Sequence, residues 1–452
     1  MLSERLLTIA FSACVSNESI DRCREPRRKT RLWLPPALLA LIAMCACGGG
    51  SSSQPPPPPP PPNQPLPTIG GIVPGFVAAG SAAQTLTING TNFDSSSTVT
   101  LNNTEHAAKL VNSSQLTLTL TAADQANAAC YAVTVNNPAP AGGASNPANF
   151  AVRDPASPIY VVDIDNHRVQ VFDDNENYIS QFDHSFDLPN GIAIDCQHNI
   201  YVHDGNNNCW VDKFDSNANF LLQYGQCLVN NGLIGPGVFD NTSLVATDAA
   251  GNVWVPSADF FYMQKYDSSG NFQSIICMAQ VSGISVNCPM VTPFNVQPQG
   301  IAIDTLGNIW VSNPNSGIAP PLIKFDGTGK YLTTIGSWGS GNGQFNVNVP
   351  SRIELAFDAH GDIYVTDPGN NRVQKFDSQG NYLSQFGSPG TGNGQFNGAT
   401  GIAIDASGNV YVTDAGNARV EKFDTNGNYL SQFGSPGGGN GQFHGPFSIA
   451  LR

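Results

Sequence analysis

Between Ile159 and Phe433 the apolar and polar positions repeat in six similar blocks, of which five contain four short apolar stretches and the first contains three. The stretches are rich in Ile, Val, Tyr and Phe, and Gly, Asn and Asp separate them, which is typical of short strands joined by tight turns. Each block therefore predicts a four-stranded β-meander. The clearest copy consists of Gly401-Ile-Ala-Ile-Asp405, Asn409-Val-Tyr-Val-Thr-Asp414, Arg419-Val-Glu-Lys-Phe-Asp424 and Asn428-Tyr-Leu-Ser-Gln-Phe-Gly434.

The interior length of each block is nearly constant, whereas the spacing between blocks varies. The distance between the acidic residues that end the first and third strands is 20, 19, 22, 19 and 19 residues in the five complete blocks. Meanders of this size bury enough apolar surface only when they stack around an axis, which predicts a propeller over residues 154–452. The first block lacks its innermost strand, and Phe447-Ser-Ile-Ala-Leu451 supplies a strand of that type at the end of the chain. This strand is expected to close a ring of six blades.

Upstream of the repeats, residues 67–153 show a second alternating pattern. Short runs such as Gln115-Leu-Thr-Leu-Thr-Leu120 and Tyr131-Ala-Val-Thr-Val135 are bounded by Gly, Asn or Pro, as expected for a small β-sandwich. The segment resembles the IPT/TIG family of immunoglobulin-like domains. The residues that carry this resemblance are Ile72-Val-Pro74, Gly80-Ser81, Ile88-Asn-Gly-Thr-Asn-Phe93 and Val135-Asn-Asn-Pro138.

The blocks themselves resemble NHL repeats, through a Gly-Ile-Ala-x-Asp strand, a Val-x-Asp strand, Asn-x-Arg-Val, Phe-Asp and a final Phe-Gly. The fold class is therefore predicted as all-β, an immunoglobulin-like sandwich followed by a six-bladed NHL-type propeller closed by the C-terminal strand. The resemblance implies a binding platform in most members of the family and an enzyme in a few.

The N-terminal region has the composition of an export signal and a stalk. Arg27-Arg-Lys-Thr-Arg31 precedes the 13 apolar-rich residues Leu32 to Met44, a basic and then apolar order typical of signal peptides, predicted over residues 1–46. Cys47 follows Ala46 and precedes a Gly/Ser run, which resembles a bacterial lipoprotein cleavage site; an ordinary signal peptide is the alternative. Residues 47–66 include eight consecutive prolines and predict an extended stalk, of which the prolines alone span about 25 Å.

Charge and localisation restrict the partners. The formal net charge is −14, and because residues 1–46 carry seven basic and four acidic residues, the rest of the chain carries −17. Nucleic acid is therefore not an expected partner. Gly48 after Cys47 lacks the aspartate that resembles an inner-membrane retention signal, so we expect a lipid-anchored protein of the bacterial cell envelope or surface, with the outer membrane favoured.

Histidines and carboxylates supply the candidate chemistry. His167, His203, Asp163 and Asp204 are expected at the propeller face that carries the second-to-third turns and the blade connections. Such a set could hold zinc or calcium in the channel and activate a bound water. This resembles the peptidyl-hydroxyglycine lyase, an NHL-type propeller with metal-binding histidines. The alternative is that the histidines are separate surface residues and that Asp163, Asp204, Asp367 and Asp414 cap the turns that follow them.

The cysteines suggest disulfides in an oxidising compartment. Cys277 with Cys288 and Cys209 with Cys227 are the candidate pairs, whereas Cys196 is expected to be free and Cys130 to be a buried thiol.

These features predict an exported, non-catalytic binding protein without a cofactor, whose propeller presents the loops Gln226 to Asp240 and Cys277 to Gln297 to a protein or glycan ligand. The alternatives are a metal-dependent lyase or hydrolase with its site in the channel, and a purely structural spacer.

Overall fold

The structure is a computed structural model that describes residues 65–139, 142–205, 208–227, 235–239, 244–279, 295–314, 319–346 and 352–451. The signal segment, Cys47 and most of the stalk lie outside these residues, as does Cys288. The described residues form strands and three 3₁₀ turns. Among them, no helix has the length and apolar character needed to cross a membrane.

The N-terminal domain is a sandwich of two sheets, as the alternating pattern predicts. One sheet has the order β1-β3-β7-β6 and the other β2-β9-β8-β4-β5. Alternate residues such as Leu86, Ile88, Val133 and Val135 are fully buried between the sheets. The strands are β1 (Thr68–Val73), β2 (Phe76–Ala78), β3 (Gln84–Thr91), β4 (Thr98–Leu101), β5 (Thr104–His106), β6 (Ala108–Asn112), β7 (Gln115–Leu120), β8 (Ala129–Asn136) and β9 (Ala148–Arg153).

Six four-stranded antiparallel sheets follow, and they are the six blades of the propeller. From the innermost strand outwards, blade 1 is β37 (Pro446–Leu451), β10 (Ile159–Asp163), β11 (Arg168–Phe172) and β12 (Tyr178–Phe182). Blade 2 is β13 (Pro189–Ile194), β14 (Ile200–Asp204), β15 (Trp210–Phe214) and β16 (Phe220–Tyr224); blade 3 is β19 (Ala246–Thr247), β20 (Val253–Ser257), β21 (Tyr262–Tyr266) and β22 (Phe272–Cys277). Blade 4 is β23 (Ile301–Ile303), β24 (Ile309–Ser312), β25 (Leu322–Phe325) and β26 (Tyr331–Ile335); blade 5 is β29 (Leu355–Phe357), β30 (Ile363–Asp367), β31 (Arg372–Phe376) and β32 (Tyr382–Phe386). Blade 6 is β33 (Ala399–Ile404), β34 (Val410–Asp414), β35 (Arg419–Phe423) and β36 (Tyr429–Phe433).

The C-terminal strand closes the ring, which confirms the prediction. β37 pairs antiparallel with β10, and Ile159 lies opposite Leu451, Tyr160 opposite Ala450 and Val161 opposite Ile449. Blade 1 therefore combines the first and the last strands of the propeller, so the inner edge of β10 is paired rather than exposed.

The cores lie between blades rather than within them. Tyr160 and Val162 of blade 1, for example, pack with Ile192 and Val202 of blade 2. The second strand of each blade is buried on both faces, which explains why these strands read as continuous apolar runs rather than as alternating ones.

Two faces of the propeller can be distinguished by their turns. The turn face carries the first-to-second and third-to-fourth turns, and the connection face carries the second-to-third turns and the blade-to-blade connections. On the connection face, three short 3₁₀ turns follow the second strands of blades 1, 5 and 6, at Ile164–Asn166, Pro368–Asn370 and Ala415–Asn417.

Four blade connections contain the same small element, in which a phenylalanine ring packs against a glycine with positive φ. In the connection after blade 5, a Cβ at Gly387 would collide with the Phe396 ring, and the same holds for Gly225 and Phe239 after blade 2. Two connections also form two-stranded parallel ribbons, β17 (Gln226–Cys227) with β18 (Val238–Phe239) and β27 (Ser337–Trp338) with β28 (Gln344–Phe345). The long Gln226 to Asp240 loop is therefore a regular connection with an insertion, and its middle lies outside the described residues.

The sandwich packs against the turn face. Cys130 of β8 forms a disulfide with Cys196 in the first turn of blade 2, across a sequence separation of 66 residues. The expectations of a buried thiol at Cys130 and a free Cys196 were wrong, because sequence spacing cannot show that two domains bring these residues together. The Gly75 N–H donates to the Ala359 carbonyl (2.5 Å), and the Asn149 N–H donates to the Thr305 carbonyl (2.6 Å).

The sandwich also covers the end of the axial channel. Arg153 donates from Nη1 to the carbonyl of Ile404, the last residue of an inner strand, and its guanidinium lies 3.9 Å from the centre of the Phe76 ring. A cavity of about 250 Å³ remains between the domains, lined by residues that end inner strands, among them Ile194, Thr247 and Ile303. At the turn face, the channel therefore opens onto the sandwich.

Candidate functional site

The strand-ending carboxylates of blades 1, 5 and 6 occupy equivalent, fully buried positions. In blade 5, Asp367 accepts the Asn346 N–H (2.8 Å) from the preceding connection, the Asn370 side-chain amide (2.9 Å) and the Arg372 Nε–H (2.8 Å). Asp163 and Asp414 have matching partners. None of the three caps the 3₁₀ turn that follows through a side-chain bond to its backbone.

The expectation that these carboxylates cap the turns that follow them was therefore wrong. Each carboxylate instead accepts a backbone N–H of the connection before its blade and so joins the blade to that connection. The arginine extends the tie: Arg372 Nη2 donates to the Gly341 and Gln344 carbonyls, both 2.7 Å away. We call the Asp, Asn and Arg of such a blade the connection staple. Its members are Asp163, Asn166 and Arg168 in blade 1, Asp367, Asn370 and Arg372 in blade 5, and Asp414, Asn417 and Arg419 in blade 6.

Blade 2 has the carboxylate without the arginine. Asp204 accepts the Asp187 N–H (3.0 Å), the Leu188 N–H (2.7 Å) and the Asn208 side-chain amide. Burial raises the pKa of Asp204, and these hydrogen bonds partly oppose that shift.

The structure does not bring the four candidate metal ligands together. His167 is exposed and its Nδ1 hydrogen-bonds with the Asp187 carbonyl (2.6 Å), whereas His203 is fully buried on β14. Asp163 and Asp204 are occupied by the hydrogen bonds described above. Across the described parts of the chain, no group of three or more His, Cys, Asp or Glu side chains is arranged to hold a metal ion.

The cysteines on the connection face are oxidised. Cys209 and Cys227, one of the two candidate pairs, form a disulfide that ties the second-to-third turn of blade 2 to the connection that follows. Cys277 is also disulfide-bonded, and its candidate partner Cys288 lies outside the described residues.

At the connection-face end of the channel, the inner strands are packed closely enough to require glycine. Gly191, Gly300 and Gly401 each precede the acidic residue after their strand by four positions. A Cβ at Gly300 would collide with the Ile353 carbonyl, and one at Gly401 would collide with the Phe447 carbonyl. Blade 1 has the small residue Ser448 in this position.

Blade 5 departs from this rule with two charged residues. Glu354 stands four positions before Asp358, where blades 2, 4 and 6 have these glycines, and Arg352 stands two positions earlier. Both are more than nine-tenths buried. The Ile402 N–H and the Ser448 hydroxyl lie near the Glu354 carboxyl and favour its ionised form. The Arg352 guanidinium lies 5.0 Å from the centre of the Phe447 ring.

Blade 2 departs from the repeat at the neighbouring position of its second strand. Thr366 and Thr413 occupy this position in blades 5 and 6, and Thr413 Oγ accepts the Gly401 N–H (2.6 Å) and donates to the Phe447 carbonyl (2.5 Å). His203 replaces the threonine in blade 2, and its Nδ1 lies 2.9 Å from Asn190 Oδ1. Among the described residues, His203 Nε2 and Glu354 Oε1 have no hydrogen-bond partner.

Burial sets the ionisation of this axial cluster, which we define as His203, Arg352 and Glu354. Burial lowers the pKa of His203 to about 3, and the positive charge of Arg352 adds to this effect. Burial raises the pKa of Glu354 to about 8, while the positive charge of Arg352 and the nearby Ile402 N–H and Ser448 hydroxyl oppose this shift. Near neutral pH, the histidine is therefore uncharged and the glutamate is largely protonated.

His203 was recognised from the sequence, but Arg352 and Glu354 were not. An alignment of the inner strands on the acidic residues that follow them shows a charged residue in blade 5 where blades 2, 4 and 6 have glycine.

The architecture defines the class of protein: an IPT/TIG sandwich followed by a six-bladed NHL-type propeller. Residues 67–152 match the IPT/TIG domain family, and residues 344–436 match the family described as 6-bladed beta-propeller. Human NHL repeat-containing protein 3 is 30% identical over 131 residues, which are 28% of this chain and 35% of that protein. The chain thus spans about a third of this curated relative.

Two solved structures are more distant. A Bacteroides thetaiotaomicron protein of unknown function is 14% identical, with 86% of this chain and 93% of that chain covered and a TM-score of 0.47. The virginiamycin B lyase of Staphylococcus aureus is 13% identical, with 54% and 69% covered and a TM-score of 0.37. Neither likeness carries a functional argument.

Proposed function

We propose that this protein is an exported, lipid-anchored binding protein of the cell envelope, whose propeller presents its connection face to a protein or glycan ligand. The observation that carries the proposal is the position of the sandwich. Because the sandwich covers the turn-face end of the channel and is joined there by the Cys130–Cys196 disulfide, the connection face is the end of the propeller left for a ligand. The long loops begin and end on that face.

The oxidised cysteines support export. Cys130, Cys196, Cys209, Cys227 and Cys277 are all disulfide-bonded, and structural disulfides persist in oxidising compartments and are rare in the cytosol. The basic and apolar segments before Cys47 are consistent with the same route.

Lipid anchoring is tested by metabolic labelling with a fatty-acid analogue and by partition into a detergent phase. We expect the full chain to be labelled and the Cys47→Ser variant to be unlabelled, with Cys45→Ser as the matched control that keeps the label. Labelled Cys47→Ser protein would contradict the assignment of Cys47.

Ligand recognition is tested by capture from envelope extracts. We expect a variant in which a short Gly/Ser linker replaces residues 280–294 to lose captured material, because this segment follows the outer strand of blade 3, which ends at Cys277 on the connection face. The control is Asn217→Ala, in an exposed turn on the opposite face, which should capture the same material as the wild type. Equal capture by the wild type, the loop variant and the control would refute recognition by this loop.

A further inference from the structure

The three residues of the axial cluster come from two blades, yet all of them depart from the internal repeat at the same end of the channel. His203 stands where blades 5 and 6 have threonine, Glu354 where blades 2, 4 and 6 have glycine, and Arg352 where blade 6 has Ala399. The other copies show what the scaffold itself requires at these positions. An inner strand packs and closes without any ionisable group there.

These substitutions are costly for the fold. Removing an ionisable side chain from water costs several kcal/mol unless hydrogen bonds or a partner charge compensate. Here the buried His203 Nε2 and Glu354 Oε1 lack partners among the described residues, whereas the equivalent threonine hydroxyls bond two backbone groups each. Buried polar atoms without partners near the same end of a channel indicate a place for a ligand.

The cluster lies at the connection-face end of the inner strands. Phe447, whose ring centre is 5.0 Å from the Arg352 guanidinium, is partly exposed, whereas the opposite end of the channel faces the sandwich. A ligand would therefore approach the cluster from the connection face, beside the Phe447 ring.

We propose that the axial cluster binds a single carboxylate group of the ligand, through the Arg352 guanidinium and a proton donated by Glu354. Guanidinium and carboxylate pair with matched geometry, and a protonated Glu354 donates to the carboxylate instead of repelling it. With Nδ1–H donating to Asn190, His203 Nε2 accepts an N–H or O–H next to the carboxylate. A peptide C-terminus and an acidic sugar both offer this pair of groups.

This inference rests on the proposed binding function and names the group that is recognised. This mode of binding requires no metal ion, because a carboxylate can be held by the groups named above. The described residues contain no cluster arranged to hold a metal ion.

The test uses the full chain and two matched pairs of probes in calorimetric titrations at about pH 6.5: triglycine against triglycine amide, and glucuronate against glucuronamide. We expect one acid to bind at least about tenfold more tightly than its amide, a ratio that corresponds to one charge-assisted hydrogen bond. The pair that shows the difference identifies the source of the carboxylate. Equal affinity within both pairs, or no binding of either acid, overturns the proposal.

Variants that restore the repeat sharpen the test. Arg352→Ala and Glu354→Gly should each lower the affinity for the acidic probe about tenfold or more. His203→Thr should lower this affinity less. Asn393→Ala, at an exposed position of a connection loop, should leave binding unchanged. Retention of full affinity in Arg352→Ala would refute the site, and the matched acid and amide probes on the wild type decide the question if a variant fails to fold.

The pH dependence provides an independent readout. Affinity should fall as the pH rises through about 8, where Glu354 loses its proton, and Glu354→Gln should remove this fall. Failure of this proposal is distinguishable from failure of the binding function, because envelope capture that depends on the 280–294 loop can persist when no carboxylate probe binds.

Discussion

The arginine of the connection staple joins a buried carboxylate of one blade to backbone carbonyls of the preceding connection. In blade 5 the Arg372 side chain is 7% exposed and Asp367 is 0% exposed. An ion pair this buried stabilises the fold little more than an apolar pair of the same size would. Removing only one partner, however, leaves the other charge buried and unpaired.

Arg372→Met should therefore destabilise the propeller by about 3 to 5 kcal/mol, measured by urea unfolding. The double variant Asp367→Asn with Arg372→Met should recover part of this loss, because no unpaired charge remains. If the single and double variants were equally stable, the staple would act through packing and not through charge.

Glu354 should make stability depend on pH. Its folded-state pKa of about 8 lies above the ordinary value of 4.5, so the folded state holds the proton more tightly. The stabilising contribution is full below about pH 4.5 and is lost as the pH rises through 8. The thermal midpoint of the wild type should fall across this window relative to that of Glu354→Gln.

The exposed Glu105→Gln controls for the loss of a carboxylate and should follow the wild type. Parallel curves for the wild type and Glu354→Gln would contradict the burial of a protonated Glu354.

At the scale of elements, the last strand decides whether the ring exists. β37 pairs with β10 and also packs beside the inner strands of blades 2 and 6. Without it, blade 1 would have three strands with an open inner edge.

A chain ending at Gly445 should lose cooperative unfolding of the propeller and aggregate, whereas a chain ending at Leu451 should behave as the wild type. Circular dichroism melting and size-exclusion chromatography measure the difference. A Gly445-terminated chain with an unchanged melting midpoint would show that blade 1 does not need its inner strand.

At the scale of the whole molecule, the Cys130–Cys196 disulfide links two domains whose remaining described contacts include few hydrogen bonds. The connecting segment contains the exposed residues Pro155 and Ala156. We expect the Cys130–Cys196 disulfide to hold this connecting segment against the propeller.

In the Cys130→Ser and Cys196→Ser double variant, limited proteolysis should cut near residues 154–156 faster than in the wild type, while both domains stay folded. Cys209→Ser with Cys227→Ser is the control, since that pair lies within the propeller. Equal cleavage rates for the wild type and the domain-linking variant would show that the hydrogen bonds alone hold the domains.

Much of the fold could be predicted from the sequence, whereas the candidate site could be predicted only in part. The strand periods and turn residues around Asp405 and Asp424 act over a few residues, so their pattern is readable locally. His203 could be predicted because it stands where the later repeats have Thr366 and Thr413. The role of Asp163, Asp367 and Asp414 was misjudged because the backbone N–H that each accepts belongs to the preceding connection, 281, 21 and 17 residues away.

The sequence by itself determined the blades, their number and their closure by the final strand, because strand period, turn chemistry and repeat length are properties of neighbouring residues. Only the tertiary structure decided that Cys130 meets Cys196 and that the charge of Arg352 acts on both His203 and Glu354. Those encounters depend on how the domains and the closed ring place distant residues, and no local pattern encodes such distances.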